Sequence, residues 1–312
     1  MGVVLETVLP VFGLMLTGYI FARTRMIEPA GTRGISVFVF NVAIPALLFR
    51  SIAGEAPGAA GFGIVYTYFA GCFIVFAAAM ALARVAFGHP LQLQSLVGIN
   101  ATFSNSVQLG IPLVFTAFGT AGEQPLLLVI AFHSLTLITV ATALVEIGLG
   151  RGKGGLPALA AVIRALAQNP IIVAIAIGAL FPLAGVGLAQ PVDQFLKLFA
   201  AAGGPCALFV LGASLAELRL VGDLTETAAI GMLKLIVLPA VIYGLGRFVF
   251  VLPPIETAVA TVCAAMPTGA NAFILAQKYD LYVARSASLI LVTTMLSVVT
   301  LSLCLAAFSE LR

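Results

Sequence analysis

Two carboxamides, Asn105 and Asn271, sit inside strongly apolar stretches of this chain, each beside hydroxyls, glycine and proline. The first stretch reads Ile99-Asn100-Ala101-Thr102-Phe103-Ser104-Asn105-Ser106-Val107-Gln108-Leu109-Gly110-Ile111-Pro112. The second reads Ala264-Ala265-Met266-Pro267-Thr268-Gly269-Ala270-Asn271-Ala272-Phe273. Asparagine donates through its NH2 and accepts through its carbonyl, and Ser104, Ser106, Gln108 and Thr268 add further donors and acceptors. Proline deletes a backbone donor, and glycine tolerates unwound backbone. A new half-helix is therefore expected past Pro112 and another past Pro267. Their N-termini would carry unpaired N–H groups and positive dipole ends, which together suit a carboxylate. Neither stretch contains Asp, Glu, Lys or Arg, so an anion is expected to meet no fixed counter-charge and to bind weakly. The alternative for either stretch alone is a proline kink whose hydroxyls bond their own helix.

The elements that carry these residues follow from composition. Of 312 residues, 62% are hydrophobic and 9% charged, against about 25% charged in a soluble domain. Twelve acids and fifteen bases cannot cover a water-soluble surface, which excludes a soluble enzyme and a disordered chain. A net charge of +3, scattered along the chain, excludes a nucleic-acid binder. The chain reads as an all-α integral membrane protein, because open sheet edges cannot face lipid. About 20 apolar residues cross a hydrocarbon core. That rule gives ten spans, over 2–22, 33–53, 60–84, 92–118, 124–147, 168–186, 193–217, 226–250, 255–279 and 283–307. Met1 to Ile20 lacks a basic n-region and a cleavage site, so it is expected to be the first span rather than a signal peptide.

Residues 148–167, holding Arg151, Gly152, Lys153, Gly154, Gly155, Pro157 and Arg164, read as a polar cytoplasmic linker. They divide the chain into five spans over 1–147 and five over 168–312. An odd number of spans per half makes the halves an inverted repeat if they share a fold, with the two interrupted spans, the fourth and the ninth, at corresponding places. Ten Lys and Arg residues then fall on one side (Arg23, Arg25, Arg33, Arg84, Arg151, Lys153, Arg164, Arg219, Lys278, Arg285) and four on the other (Arg50, Lys197, Arg247, Arg312). That imbalance predicts both termini outside, on the periplasmic side of an inner membrane.

Lesser candidates surround the two breaks. Asn41 and Pro45 of span 2 would flank the same cavity, with Pro205 of span 7 as the counterpart in the other half. For both prolines a plain kink is the competing reading. Asn169-Pro170 reads as a helix cap with proline at the first position and is given no function. His133, in mid-span 5, is either a proton carrier or a neutral packing residue. Lys234 is expected to snorkel toward the cytoplasmic interface, and Glu146 to be interfacial. Cys72, Cys206, Cys263 and Cys304 lie singly in apolar runs, so no disulfide and no metal site is expected, nor any cofactor.

At three segments the sequence resembles the auxin efflux carrier family, which joins plant auxin exporters and bacterial carriers. They are Phe40-Asn41-Val42-Ala43-Ile44-Pro45-Ala46-Leu47-Leu48-Phe49, Asn105-Ser106-Val107-Gln108-Leu109-Gly110-Ile111-Pro112-Leu113 and Met266-Pro267-Thr268-Gly269-Ala270-Asn271-Ala272-Phe273. Leu211-Gly212-Ala213-Ser214-Leu215 is similar as well. The resemblance implies ten transmembrane helices as two inverted five-helix repeats, with spans 4 and 9 crossing at their breaks. It implies an elevator-like mechanism in which spans 1, 2, 6 and 7 form a scaffold and spans 3–5 and 8–10 move. It implies organic-anion substrates, either auxin-like or dicarboxylates such as malate and malonate. By matched position, Asn105 and Asn271 would contact the carboxylate, and Pro112 and Pro267 would make the crossover. The short linker is closer to compact bacterial members than to plant exporters.

Together these readings predict a secondary carrier of small organic anions, not an enzyme. Its expected site holds Asn41, Ser104, Asn105, Ser106, Gln108, Gly110, Thr268, Gly269 and Asn271. A homodimer in the bilayer is expected. Competing readings are a sodium- or proton-coupled symporter of the same architecture and, more remotely, a channel or an intramembrane hydrolase built on Ser214 and His133.

Overall fold

The structure, a computed structural model, describes residues 2–54, 61–150 and 167–311. Among the described residues every regular element is helical. In chain order they are α1 (Gly2–Arg23), α2 (Pro29–Ala53), α3 (Gly63–Val85), α4 (Leu91–Thr102), α5 (Ser106–Gly148) and α6 (Pro170–Leu183). Then come α7 (Gln190–Leu215), α8 (Leu224–Val249), α9 (Pro254–Ala265), α10 (Ala270–Tyr279) and α11 (Val283–Ala307). Six of these, α2, α3, α5, α7, α8 and α11, are long and apolar enough to cross a membrane, and shorter apolar helices accompany them. Of the expected linker 148–167, residues 151–166 lie outside the described residues.

The breaks have sequence causes. The window expected over 92–118 is interrupted at residues 103–105, between α4 and α5. The window over 255–279 is interrupted at residues 266–269, between α9 and α10. The boundary expected between 118 and 124 is a sharp kink inside α5 at Gly119, at φ 54 and ψ −145. Only glycine takes that backbone without strain.

Three helices widen to a π turn just ahead of a proline. The pairs are Val39–Ala43 before Pro45, Ser106–Gly110 before Pro112, and Leu233–Val237 before Pro239. A proline ring clashes with the carbonyl four residues back and offers it no donor. Widening the preceding turn to i→i+5 relieves that clash without ending the helix.

The helices pack in two groups. α1 lies along α7, and α2 packs on α6 and α7. The α1–α7 contact is close because Gly18 faces the carbonyl of Phe209 and Gly212 faces that of Met15; a methyl at either glycine would overlap backbone. Small residues that let helix backbones touch substitute for the hydrophobic drive that lipid removes. Arg50 of α2 holds Asp193 of α7 at 2.6 Å. In the second group α3, α4 and α5 pack in sequence, and α8 and α9 pack onto α3 and α5. Glu226, buried at the start of α8, ties this group at one end. It accepts from Tyr282 (2.6 Å), faces His89 (2.8 Å) and pairs with Arg285 (2.6 Å).

Candidate functional site

The two breaks meet. Phe103 at the end of α4 and Met266 at the end of α9 both turn to extended backbone, and the segments pass antiparallel with Ser104 opposite Thr268. Asn105 N–H donates to the Pro267 carbonyl and Gly269 N–H to the Phe103 carbonyl, each at 2.9 Å. These bonds satisfy backbone groups that a broken helix would leave unpaired in an apolar interior. Gly269 is required by the crossing: a Cβ there would stand 2.9 Å from the Phe103 ring and 3.0 Å from the Ser104 carbonyl. From the crossing α5 sets out at Ser106 and α10 at Ala270, so two helix N-termini flank it. Their first amides have no partner within the helix, and their dipoles present partial positive charge.

Beside the crossing lies a cavity of about 350 Å³. Ser104, Asn105, Ser106 and Gln108 form one part of its wall, and Gly269 and Asn271 another. The opposite wall is Phe40 and Asn41 of α2 with Asn169 and Pro170 at the start of α6. His133 of α5 lines it as well, and no lining residue is Asp, Glu, Lys or Arg. The cavity therefore opens between the two packing groups. Asn105 Nδ2 reaches Gln108 Oε1 at 3.4 Å, while Asn271 makes no side-chain hydrogen bond among the described residues.

Other expected residues stand elsewhere. Thr268 is fully buried away from the cavity: its hydroxyl donates to the Asn100 carbonyl (2.8 Å), and its N–H donates to Thr293 Oγ1 (3.1 Å). It clamps the crossing rather than facing a ligand. Gly110 is buried beside Ser106 and Met266 and does not line the cavity. Pro267 lies in the crossing, but Pro112 does not. The first break precedes Pro112 by a full π turn, and Pro112 packs toward Gly204 of α7. The half-helix expected past Pro112 thus begins at Ser106 instead, because the antiparallel pairing at Ser104 ends α4 before the proline acts. Glu146 is partly exposed and accepts from Tyr279 (2.7 Å).

Lys234 overturns its expectation. It is fully buried, with Nζ donating to the Ala264 carbonyl at 2.6 Å and to Ser104 Oγ at 2.8 Å. Snorkelling is unnecessary because the crossing supplies oxygens at depth: a last-turn carbonyl of α9 and a hydroxyl of the bridge. An amino group thus sits directly behind the cavity wall, although none lies within either break.

His133 is 3% exposed and packs at a tilt against Phe103, with ring centroids 4.3 Å apart and planes 39° from parallel. Its Nε2 faces Ser104 N–H and the Tyr68 hydroxyl, each at 3.4 Å. Accepting from an amide puts the lone pair on Nε2 and the proton on Nδ1. Tyr68 escapes a sequence reading, since nothing in the run Tyr66-Thr67-Tyr68 marks the one that reaches the crossing. Asn169 gave a signal, the cap, that did not point to a cavity.

A family model described as "Membrane transport protein" matches residues 3–305. A protein of Rhizobium meliloti (strain 1021) named "Putative malonate transporter" is 27% identical over 299 residues, covering 95% of this chain and 92% of that one. An "Uncharacterized transporter" of Methanothermobacter thermautotrophicus is 26% identical over 304 residues, covering 96% of each.

Proposed function

The chain belongs to the membrane transport protein family, the auxin efflux carrier family of the resemblance, and on that premise we propose that it is a secondary carrier of small carboxylates. It is a multi-pass membrane transporter and not an enzyme. The observation that carries the substrate class is the pair of helix N-termini at the crossing, with Asn105 and Asn271 on a cavity free of acidic side chains. Oriented amides and dipole ends favour an anion where no carboxylate competes. Malonate is the first substrate to try, given the name of the Rhizobium relative.

The mechanism we propose is elevator-type alternating access. The cavity lies between the group of α1, α2, α6 and α7, taken as scaffold, and the remaining helices, taken as the moving part. Ten spans in two inverted halves, with both termini outside and two copies associating through the scaffold, complete the proposed arrangement. His133 is assigned a positioning role, holding Ser104 and Phe103 at the crossing, rather than proton carriage.

Counterflow of labelled malonate in proteoliposomes tests the site. Asn271→Ala is expected to cut exchange by at least about tenfold, the equivalent of one charge-assisted hydrogen bond. Its melting temperature should stay at the wild-type value. Wild-type exchange by that variant would remove the crossing from the substrate path.

A further inference from the structure

Lys234 brings an ionisable group to the crossing without bringing a partner for its charge. Its Nζ is sealed from solvent and bonded to two neutral oxygens, the Ala264 carbonyl and Ser104 Oγ. The titratable groups around it are Tyr68 and Cys72 of α3, Cys263 of α9 and His133 of α5, and none is a carboxylate. Of the other helices packed against this turn, α4 has no titratable residue and α11 has only Arg285 and Cys304. Glu226, two turns earlier on α8 itself, is held by Arg285, His89 and Tyr282. A neutral amine needs no counter-charge in such surroundings, whereas an ammonium does.

The cavity is where that counter-charge can come from. Ser104 both bonds Lys234 and lines the cavity, so one hydroxyl separates Nζ from an anion held against that wall. An amine has a lone pair that can accept the Ser104 O–H, but an ammonium has none and can only donate. Protonation therefore makes Ser104 Oγ an acceptor toward Lys234 and releases its O–H for the anion. The Tyr68 hydroxyl, 3.2 Å from Ser104 Oγ, can donate to it in either state. The anion in turn supplies the charge that the ammonium lacks, so each event favours the other by one shared coupling free energy. From this arrangement we propose that Lys234 is the proton site of the carrier, taking up one proton as the anion binds and returning it as the anion leaves. The proton enters from the cavity: it passes to Ser104 Oγ as the hydroxyl's own proton moves to Nζ, and it leaves by the reverse steps. Lys234, Ser104 and the crossing belong to one packing group, so proton and anion travel together when that group moves. The proposal rests on the carboxylate site above and adds its coupling: a pH gradient drives transport, and His133 keeps its positioning role.

Calorimetric titration of malonate into the purified protein tests this between about pH 7 and about pH 9, where both malonate carboxyl groups are ionised. Paired buffers of different ionisation enthalpy read the protons taken up per malonate bound. Wild type should take up a measurable fraction of a proton, up to one, and its affinity should fall about tenfold from the acid to the alkaline end. Lys234→Met should bind more weakly at the acid end, take up no proton and hold one affinity across the range. Lys234→Gln, which keeps two N–H donors and cannot be protonated, should behave alike, and it decides the matter if the methionine variant does not fold. His133→Gln should still take up the proton. In proteoliposomes, a pH gradient that is acid on the side of added malonate should concentrate malonate through wild type and not through Lys234→Gln. Binding without proton uptake in wild type, uptake that persists in both Lys234 variants, or uptake lost in His133→Gln would each overturn the proposal and leave the crossing site standing. If wild type does not bind malonate at all, the carboxylate site itself falls, and the coupling with it.

Discussion

Replacing Gly269 with alanine is the most economical way to disturb the crossing. At φ −83 and ψ 151 the backbone suits any residue, so the whole effect is steric. The added methyl would stand 2.9 and 3.0 Å from two carbons of the Phe103 ring and 3.0 Å from the Ser104 carbonyl. Carbon atoms pack best at about 3.5–4.0 Å, so the two segments must part by about 0.5–1 Å. Neither neighbour yields easily. The carbonyl is backbone pinned by the antiparallel bridge, and the ring is backed by His133. Overpacking of this kind costs about 1–3 kcal/mol. Gly34→Ala is the control: a Cβ there meets nothing, and alanine favours a helix by up to about 1 kcal/mol. Thermal melting in detergent, with and without malonate, should show Gly269→Ala several degrees below wild type with malonate stabilisation largely gone. Gly34→Ala should melt at or above wild type and keep its ligand response. A Gly269→Ala protein that melts and binds like wild type would mean that the strands do not cross at this distance.

Two further outcomes follow from buried polar groups. Lys234→Met strands the Ala264 carbonyl, at about 1–3 kcal/mol, but removes the cost of burying an amino group away from water. Stability should change by no more than about 2 kcal/mol. Malonate affinity should drop about tenfold, because Lys234 Nζ holds Ser104 Oγ of the cavity wall at 2.8 Å and the variant releases it. Wild-type affinity in this variant would detach Lys234 from the site. Glu226→Gln removes the carboxylate that Arg285, His89 and Tyr282 share, and should destabilise by about 2–3 kcal/mol, discounted because Arg285 is partly exposed. Unfolding that coincides with wild type would show that this cluster does not hold the helices together.

Much of this arrangement was legible in the sequence because it rests on local rules. Apolar runs of span length require helices, and Pro267 with Gly269 marks a break that no neighbour is needed to explain. The first break was harder. Pro112 drew attention to itself, yet it only widens a turn, while the interruption at Ser104 arises from pairing with Thr268, 164 residues away in sequence. Lys234 was misplaced for the same reason. Snorkelling is the right expectation for a lone lysine in lipid, and only the fold supplies the Ser104 and Ala264 oxygens that hold it inside. Thr268 carries a hydroxyl that suits a ligand, but the approach of Asn100 and Thr293 engages it elsewhere. Asn169 shows the converse: the cap was plain, but the cavity it faces is made by α2 and the crossing, which no local pattern reports.

The central claim is that a carboxylate is held where the two broken spans cross. Its most direct test is the malonate-dependent melting shift of the purified protein in detergent, wild type against Asn271→Ala. At about 100 times its dissociation constant, malonate should stabilise wild type by about 2.7 kcal/mol. The variant, folded and melting normally without ligand, should show little or no shift at that concentration. Equal shifts in the two proteins would contradict the account, because they would place the bound anion away from the crossing.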